Sequence, residues 1–347
     1  MNAAVAGQPV AGNQRAPWKD LIRPYAKPRL SRSWLDVATS VVPYVALMVA
    51  MYELLDVSVL LTLALAPLTA GFLLRTFILF HDCTHGSLWP TKRANTWWGR
   101  VLGLMLFMPF ESWGHSHAVH HATAGDLERR GTGDVPMLTV AEYRAKSPRD
   151  QRLYRSYRHP AVMFGLGPLV SFFIGPRLVP KDARPRIRRA IIRTNIALAL
   201  LVGLACWLLG PLEFLAIQLP AAWIAGSTGI FLFYVQHQFE DAYWETGDNW
   251  DYADAAIRGS SFLRLPRVLQ FFSGNIGYHH VHHLSARVPN YNLQRAHEDL
   301  ELFRDVPTLT IPDALRATRL KLWDEERGRM ISFAEAEAEA SEALATT

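Results

Sequence analysis

Cysteine is scarce in this chain: Cys83 and Cys206 are the only two among 347 residues, too few for a disulfide framework or a thiolate zinc site. The same scarcity excludes a cysteine-held iron–sulfur cluster, and no glycine-rich dinucleotide fingerprint occurs. The Glu-x-x-His pairs with which soluble helical bundles hold two metal ions are also missing. Charged residues make up only 19% of the chain and leave long stretches empty.

Those empty stretches are long enough to cross a bilayer. Four spans are predicted, at about 36–55, 57–80, 191–209 and 212–235. Arg75 interrupts the second, Arg193 opens the third and Glu213 stands near the start of the fourth. Asp56 alone separates the first two spans and Gly210-Pro211 the last two, so they form two membrane hairpins. Arg15, Lys19, Arg23, Lys27, Arg29 and Arg32 precede the first hairpin, and Lys181, Arg184, Arg186, Arg188 and Arg189 precede the second. By the positive-inside rule both termini and the middle segment face the cytoplasm, as expected of a bacterial-type inner-membrane protein. The net charge of +5 is then a topological signal, read by anionic lipid headgroups rather than by nucleic acid. The first apolar run exceeds a signal-peptide core and lacks a small-residue cleavage site, so it is expected to be retained.

Residues 1–35 read as a basic, loose or surface-lying cytoplasmic arm, 36–300 as the membrane domain, and 301–347 as a cytoplasmic segment ending in an acidic, alanine-rich tail. Trp97–Phe110 and Ala161–Val179 are apolar but too short or too broken to cross, and are expected to lie in the interface. The fold class expected is all-α and polytopic: four transmembrane helices in two hairpins, with a cytoplasmic helical cap.

Histidine is what the chain has in unusual order. Eight of its thirteen histidines fall in three clusters, His81 and His85, then His117, His120 and His121, then His279, His282 and His283. Positions i, i+3 and i+4 share one helix face, so each cluster aims two or three imidazoles at one point. Imidazole suits iron, zinc, copper or nickel, and eight ligands exceed the coordination of one ion. Zinc alone fits poorly, since it closes with three or four protein ligands. An all-histidine centre for two irons remains. The scattered His115, His159, His280 and His297 are expected to be ordinary side chains, and Cys83 a small residue at a helix contact. Asp82, Glu111, Asp126, Glu240 and Asp241 are candidates to orient the imidazoles, or alternatively to pair with arginines such as Arg129 and Arg130. Asn275, one turn before His279, is a candidate to hold a metal-bound water or else a turn.

The stretches HDCTHGS, HAVHHAT and GNIGYHHVHHLSARVPNYNL, with their order and the two hairpins, resemble the integral-membrane fatty acid desaturase family, most closely bacterial acyl-lipid enzymes of omega-6 (delta-12) type. The resemblance runs from the first span to Asn292. It implies two irons on His81, His85, His117, His120, His121, His279, His282 and His283. A ninth ligand at the end of the fourth span is matched by His237. It implies oxygen-dependent removal of two hydrogens from a long, lipid-linked acyl chain. Electrons would come from a separate ferredoxin-like or cytochrome b5-like donor with its reductase, docking on the basic stretch Lys181 to Arg193. Two rival readings are a hydroxylase or ketolase of the same histidine-rich superfamily, told apart by oxygen retained in the product, and a membrane metal transporter or sensor.

Overall fold

The computed structural model describes residues 17–345. Residues 17–29 lie against the surface, one of the two arrangements expected of the basic arm, and residues 1–16 lie outside the described residues. Helix α1 (Trp18–Ile22) docks by its one buried apolar side chain, Ile22, against Val281, Leu284 and Leu293 from the far end of the chain. Trp18 stacks on Tyr252 and the Tyr25 hydroxyl donates to Asp299 at 2.9 Å.

Two long helices follow, α2 (Leu30–Leu55) and α3 (Val59–His85). α2 starts six residues before the expected boundary because its first polar residues find buried partners: Ser33 donates to the Leu88 carbonyl at 2.5 Å and Asp36 pairs with Arg75 at 3.0 Å. Ser58 caps α3, accepting from the Leu61 N–H at 3.4 Å. Gly86, at φ +67°, ends α3 in the left-handed turn that glycine adopts without strain. This termination leaves His81 and His85 on the last turn, one above the other.

α4 (Lys92–Met105) and α5 (Phe110–Thr123) are joined by a tight turn, and α6 (Val140–Arg144) and α7 (Pro148–Arg158) come next. Pro160 and Pro168 each open a short wide-turn helix, Ala161–Leu166 and Leu169–Ile174, bent by 59° from α7. A proline lacks the N–H that a regular helix needs, which accounts for the broken run here. The second long pair is α8 (Pro185–Leu209) and α9 (Pro211–His237). Among the described residues α2, α3, α8 and α9 are the four single helices long and apolar enough to cross a membrane. Their outward residues are strongly exposed, Leu60 at 78%, Trp207 at 80% and Leu212 at 75%, as a lipid-facing surface requires.

The remainder is a cap of short helices, α10 (Tyr252–Arg258), α11 (Arg267–Phe272), α12 (His279–Leu284), α13 (Asn290–Asp299), α14 (Ile311–Ala317) and α15 (Phe333–Ala345). Five strands of two or three residues tie it together: β1 (Leu138–Thr139), β2 (Phe262–Leu263), β3 (Thr308–Leu309), β4 (Leu322–Asp324) and β5 (Arg329–Ile331). β4 lies between β1 and β5, and β2 pairs with β3. The acidic tail is helical through Ala345, with Ala336 buried and Glu339 paired with Arg327. Arg158 is fully buried and donates to the Pro136 carbonyl at 2.7 Å and to the Tyr154 and Tyr234 hydroxyls at 3.0 Å, locking α7 to α9.

Candidate metal centre

Four helices converge on one point. α3 brings His81 and His85, α5 brings His117, His120 and His121, α12 brings His279, His282 and His283, and α9 ends on His237. Their ring nitrogens sort into two groups, within each of which the candidate atoms lie within 4.8 Å of one another. The first holds His81, His85, His117, His121 and His282, and the second His120, His237, His279 and His283. The second cluster is thus divided: His117 and His121, at i and i+4, face one group while His120 faces the other. The third cluster divides likewise, His282 joining the first group and His279 and His283 the second. The stacked rings of His121 and His283, 4.2 Å between centroids, join the two.

The crowding is chemically informative. Nε2 of His282 lies 2.9 Å from Nε2 of His121, Nε2 of His237 lies 2.9 Å from that of His279, and Nε2 of His120 lies 3.3 Å from that of His283. None of the nine is exposed. His117, His121, His279, His282 and His283 are all held well below the ordinary imidazole value, first by burial and then by neighbouring imidazoles. Neutral imidazoles with converging lone pairs are metal ligands in waiting. Among the described residues the Nδ1 atoms of His121, His279 and His282 have no hydrogen-bond partner. A site with so many buried, neutral imidazoles fits a metal cofactor.

Partners outside the groups fix some of the rings. His237 Nδ1 lies 3.2 Å from the Gly259 carbonyl, which turns its Nε2 inward. His120 Nδ1 meets the carboxylate of Asp134. Asp134 escaped the sequence reading: it stands fourteen residues on, in a glycine-rich loop with no periodicity to flag it. Asp82 lies 3.5 Å from His81 Nδ1 and accepts from Asn290 through the backbone N–H at 2.8 Å and the side-chain amide at 3.0 Å. The other candidates go elsewhere. Glu240 pairs with Arg329 at 2.5 Å, Asp241 is exposed, Glu111 pairs with Arg100, and Asp126 pairs with Arg129. Asn275 adopts φ +58° and donates to the Asn290 carbonyl at 3.3 Å, so it serves a turn. His280 points away and meets His297 at 2.9 Å, His115 and His159 are exposed, and Cys83 is packed among Leu79, Phe80 and Leu88.

An apolar cavity of about 610 Å³ reaches both groups. His81, His117 and His279 form its inner end, and side chains of α3, α9 and the wide-turn helices, among them Phe77, Met163 and Ile230, form its walls. Trp113 stacks on His117 at 4.4 Å and Phe233 lies 5.0 Å from His120, covering the rings on the cavity side.

The sequence profile of the fatty acid desaturase family matches residues 58–308, an interval that contains all nine histidines. The chain belongs to the fatty acid desaturase family. A Bacillus subtilis fatty acid desaturase is 46% identical over 326 residues, which cover 94% of this chain and 92% of that one. A Synechocystis sn-1 acyl-lipid omega-3 desaturase (ferredoxin) is 28% identical over 65% of this chain and 63% of its own length. A chloroplastic omega-6 fatty acid desaturase of Arabidopsis thaliana is 27% identical over 65% of this chain and 50% of its own. The desaturase is therefore a membrane oxidoreductase acting on acyl chains, and its cavity ends where its histidines converge.

Proposed function

We propose that each histidine group of the desaturase holds one iron ion and that molecular oxygen is the co-substrate. The donor set supports this, since imidazole-only sites of five and four ligands suit iron and overfill structural zinc. Bound there, the irons supply the oxygen chemistry that side chains cannot. Two hydrogens leave adjacent methylenes, two electrons and two protons arrive from outside, and oxygen leaves as two waters. The protein's own part is placement. The cavity walls hold the acyl chain straight toward His81, His117 and His279, while Trp113 and Phe233 exclude water from the rings. Asp134 and the Gly259 carbonyl hold the Nδ1 protons of His120 and His237, so that their Nε2 lone pairs face inward.

The acyl chain is carried on a lipid, and a separate ferredoxin-like or cytochrome b5-like protein delivers the electrons. The ferredoxin and acyl-lipid wording in the Synechocystis relative's name supports both. The termini and the histidine cap lie on the cytoplasmic face of a bacterial inner membrane in this reading, with two membrane hairpins, a topology supported by the basic residues ahead of and at the starts of α2 and α8.

The observation that carries this reading is a single apolar cavity walled by histidines of both groups. Its test is expression in a host lacking polyunsaturated lipid, with mass-spectrometric location of new double bonds and His120→Ala as control. A new double bond that disappears in the variant is expected. A hydroxylated product, or an unchanged lipid profile despite bound iron and supplied donor, would overturn it.

A further inference from the structure

On the side of α5 away from the acyl cavity runs a second groove, of about 310 Å³, between α4, α5 and α8. Arg186, Arg189 and Arg193 line one wall, and Arg100 and Glu111 stand opposite. The three α8 arginines lie at i, i+3 and i+7, on one face of the first turns of a helix. Local physics opposes that arrangement twice over, because like charges at this spacing repel and cations at a helix N-terminus face the positive end of its dipole. Among the described residues no carboxylate pairs with any of the three. Glu111, the groove's one acidic group, is already engaged by Nε and Nη2 of Arg100. The groove is thus positive and unneutralised.

The rest of its lining is Leu104, Ala190, Thr194 and Ala197. Along α8 the face of Arg193 and Ala197 continues to the apolar Leu200 and Leu204, exposed at 71% and 50%. Beside the groove, Trp97 of α4 is 58% exposed, the position of a headgroup-boundary anchor. A charged top over an apolar stripe has the outline of a phospholipid. We propose that this groove binds the phosphate of an anionic glycerophospholipid, with the acyl chains lying along Leu200 and Leu204. An acidic electron donor, for which this basic stretch is also suited, satisfies the arginines and leaves the apolar stripe unused. Free phosphate does the same. The lipid matches both halves, and it sits against the first turn of α5, the helix that carries His117, His120 and His121.

The test uses the full-length desaturase, delipidated in detergent, titrated with phosphatidylglycerol and read by native mass spectrometry and by the thermal midpoint. Diacylglycerol with the same chains and inorganic phosphate are parallel arms. Arg189→Gln/Arg193→Gln is expected to weaken phosphatidylglycerol binding by about fivefold per arginine removed. Arg149→Gln/Arg152→Gln, an exposed pair on α7, is expected to leave it unchanged. The α8 arginines point to solvent in the empty groove, so elution behaviour and unliganded midpoint of the variant should match the parent. Equal binding by parent and α8 variant, or equal loss in the α7 variant, would overturn the site. Tight binding of inorganic phosphate alone would make it an ion site. Intact lipid binding with a raised Michaelis constant for an acidic donor would make it a protein dock.

Discussion

Replacing Asn290 by Leu tests the buried polar chain that braces the metal centre. Asn290 is 1% exposed, and its amide donates at 3.0 Å to Asp36 and at 3.0 Å to Asp82, two carboxylates that are themselves buried. Asp36 is held on its other side by Arg75, whose guanidinium lies 4.1 Å over the Phe271 ring. Leucine keeps the volume and removes both N–H donors. Hydrogen bonds to charged groups contribute about 1.5–3 kcal/mol each, so the loss is roughly 3–6 kcal/mol. Asp36 keeps Arg75 and Asp82 keeps the backbone N–H of residue 290, which places the result near the lower figure. At about 2–4 °C per kcal/mol the thermal midpoint in detergent should fall by roughly 6–12 °C. Gln294→Leu, an exposed position on the same helix, should move it little. The sign of a second change is the sharper check. Adding Asp82→Asn to Asn290→Leu removes a buried carboxylate that is left with only the backbone N–H of residue 290, and should recover part of the stability. A midpoint drop no larger than that of Gln294→Leu, or further loss on adding Asp82→Asn, would refute the reasoning.

Four other outcomes follow from the same geometry. Asp134→Asn should weaken metal binding at the His120 group by about 10–100-fold with the fold retained, read as bound metal per chain after dialysis; undiminished occupancy would count against the role. Gly229→Leu should discriminate against the longest acyl chains, because a Cβ there meets only Leu74 at 3.7 Å and the added side chain projects where the main cavity adjoins a smaller one. Displacing two methylenes costs about 1.6 kcal/mol, roughly 15-fold in kcat/KM against a shorter substrate. The metal-free protein should lose stability as pH falls below about 6.5, because the unfolded chain then takes up protons that the depressed imidazoles of His121, His279 and His282 refuse; a flat midpoint between pH 7.5 and 5 would contradict this. Burial, with Arg158 nearby, pushes the Lys321 ammonium down to about 7. Between that value and the ordinary lysine range the folded state binds fewer protons than the unfolded one, so Lys321→Met should stabilise more at pH 6.5 than at pH 9, in paired thermal melts.

The helices and histidine boxes were legible in the sequence because both are local patterns. Hydropathy over twenty residues marks α2, α3, α8 and α9, and spacing of three and four marks which imidazoles share a face. The division of those boxes into groups of five and four was not legible, since it depends on how α3, α5, α9 and α12 cross. Long-range polar partners were equally hidden. Asn290 meets Asp36 across 254 residues, and nothing local to either announces the other. His237 stands alone in sequence, so only the family resemblance singled it out. What holds residues 17–29 and the tail was not legible, because one apolar anchor, Ile22, does the docking of the first and the small Ala336 with salt bridges to Arg144 and Arg327 that of the second.

The interleaving of the two histidine groups bears on how the protein is made. Each group needs α12, and the chain from His81 to His283 spans 202 residues, about 10–40 s of synthesis at usual rates. Before α12 emerges His81, His85, His117 and His121 already exist as a four-imidazole fragment, while the second group has only His120 and, later, His237. Four nitrogens are a complete set for zinc and an attractive one for copper, both of which bind nitrogen ligands more tightly than ferrous iron. The ion a finished chain carries would then depend on the ions at hand before the last histidine emerges as well as on the folded site.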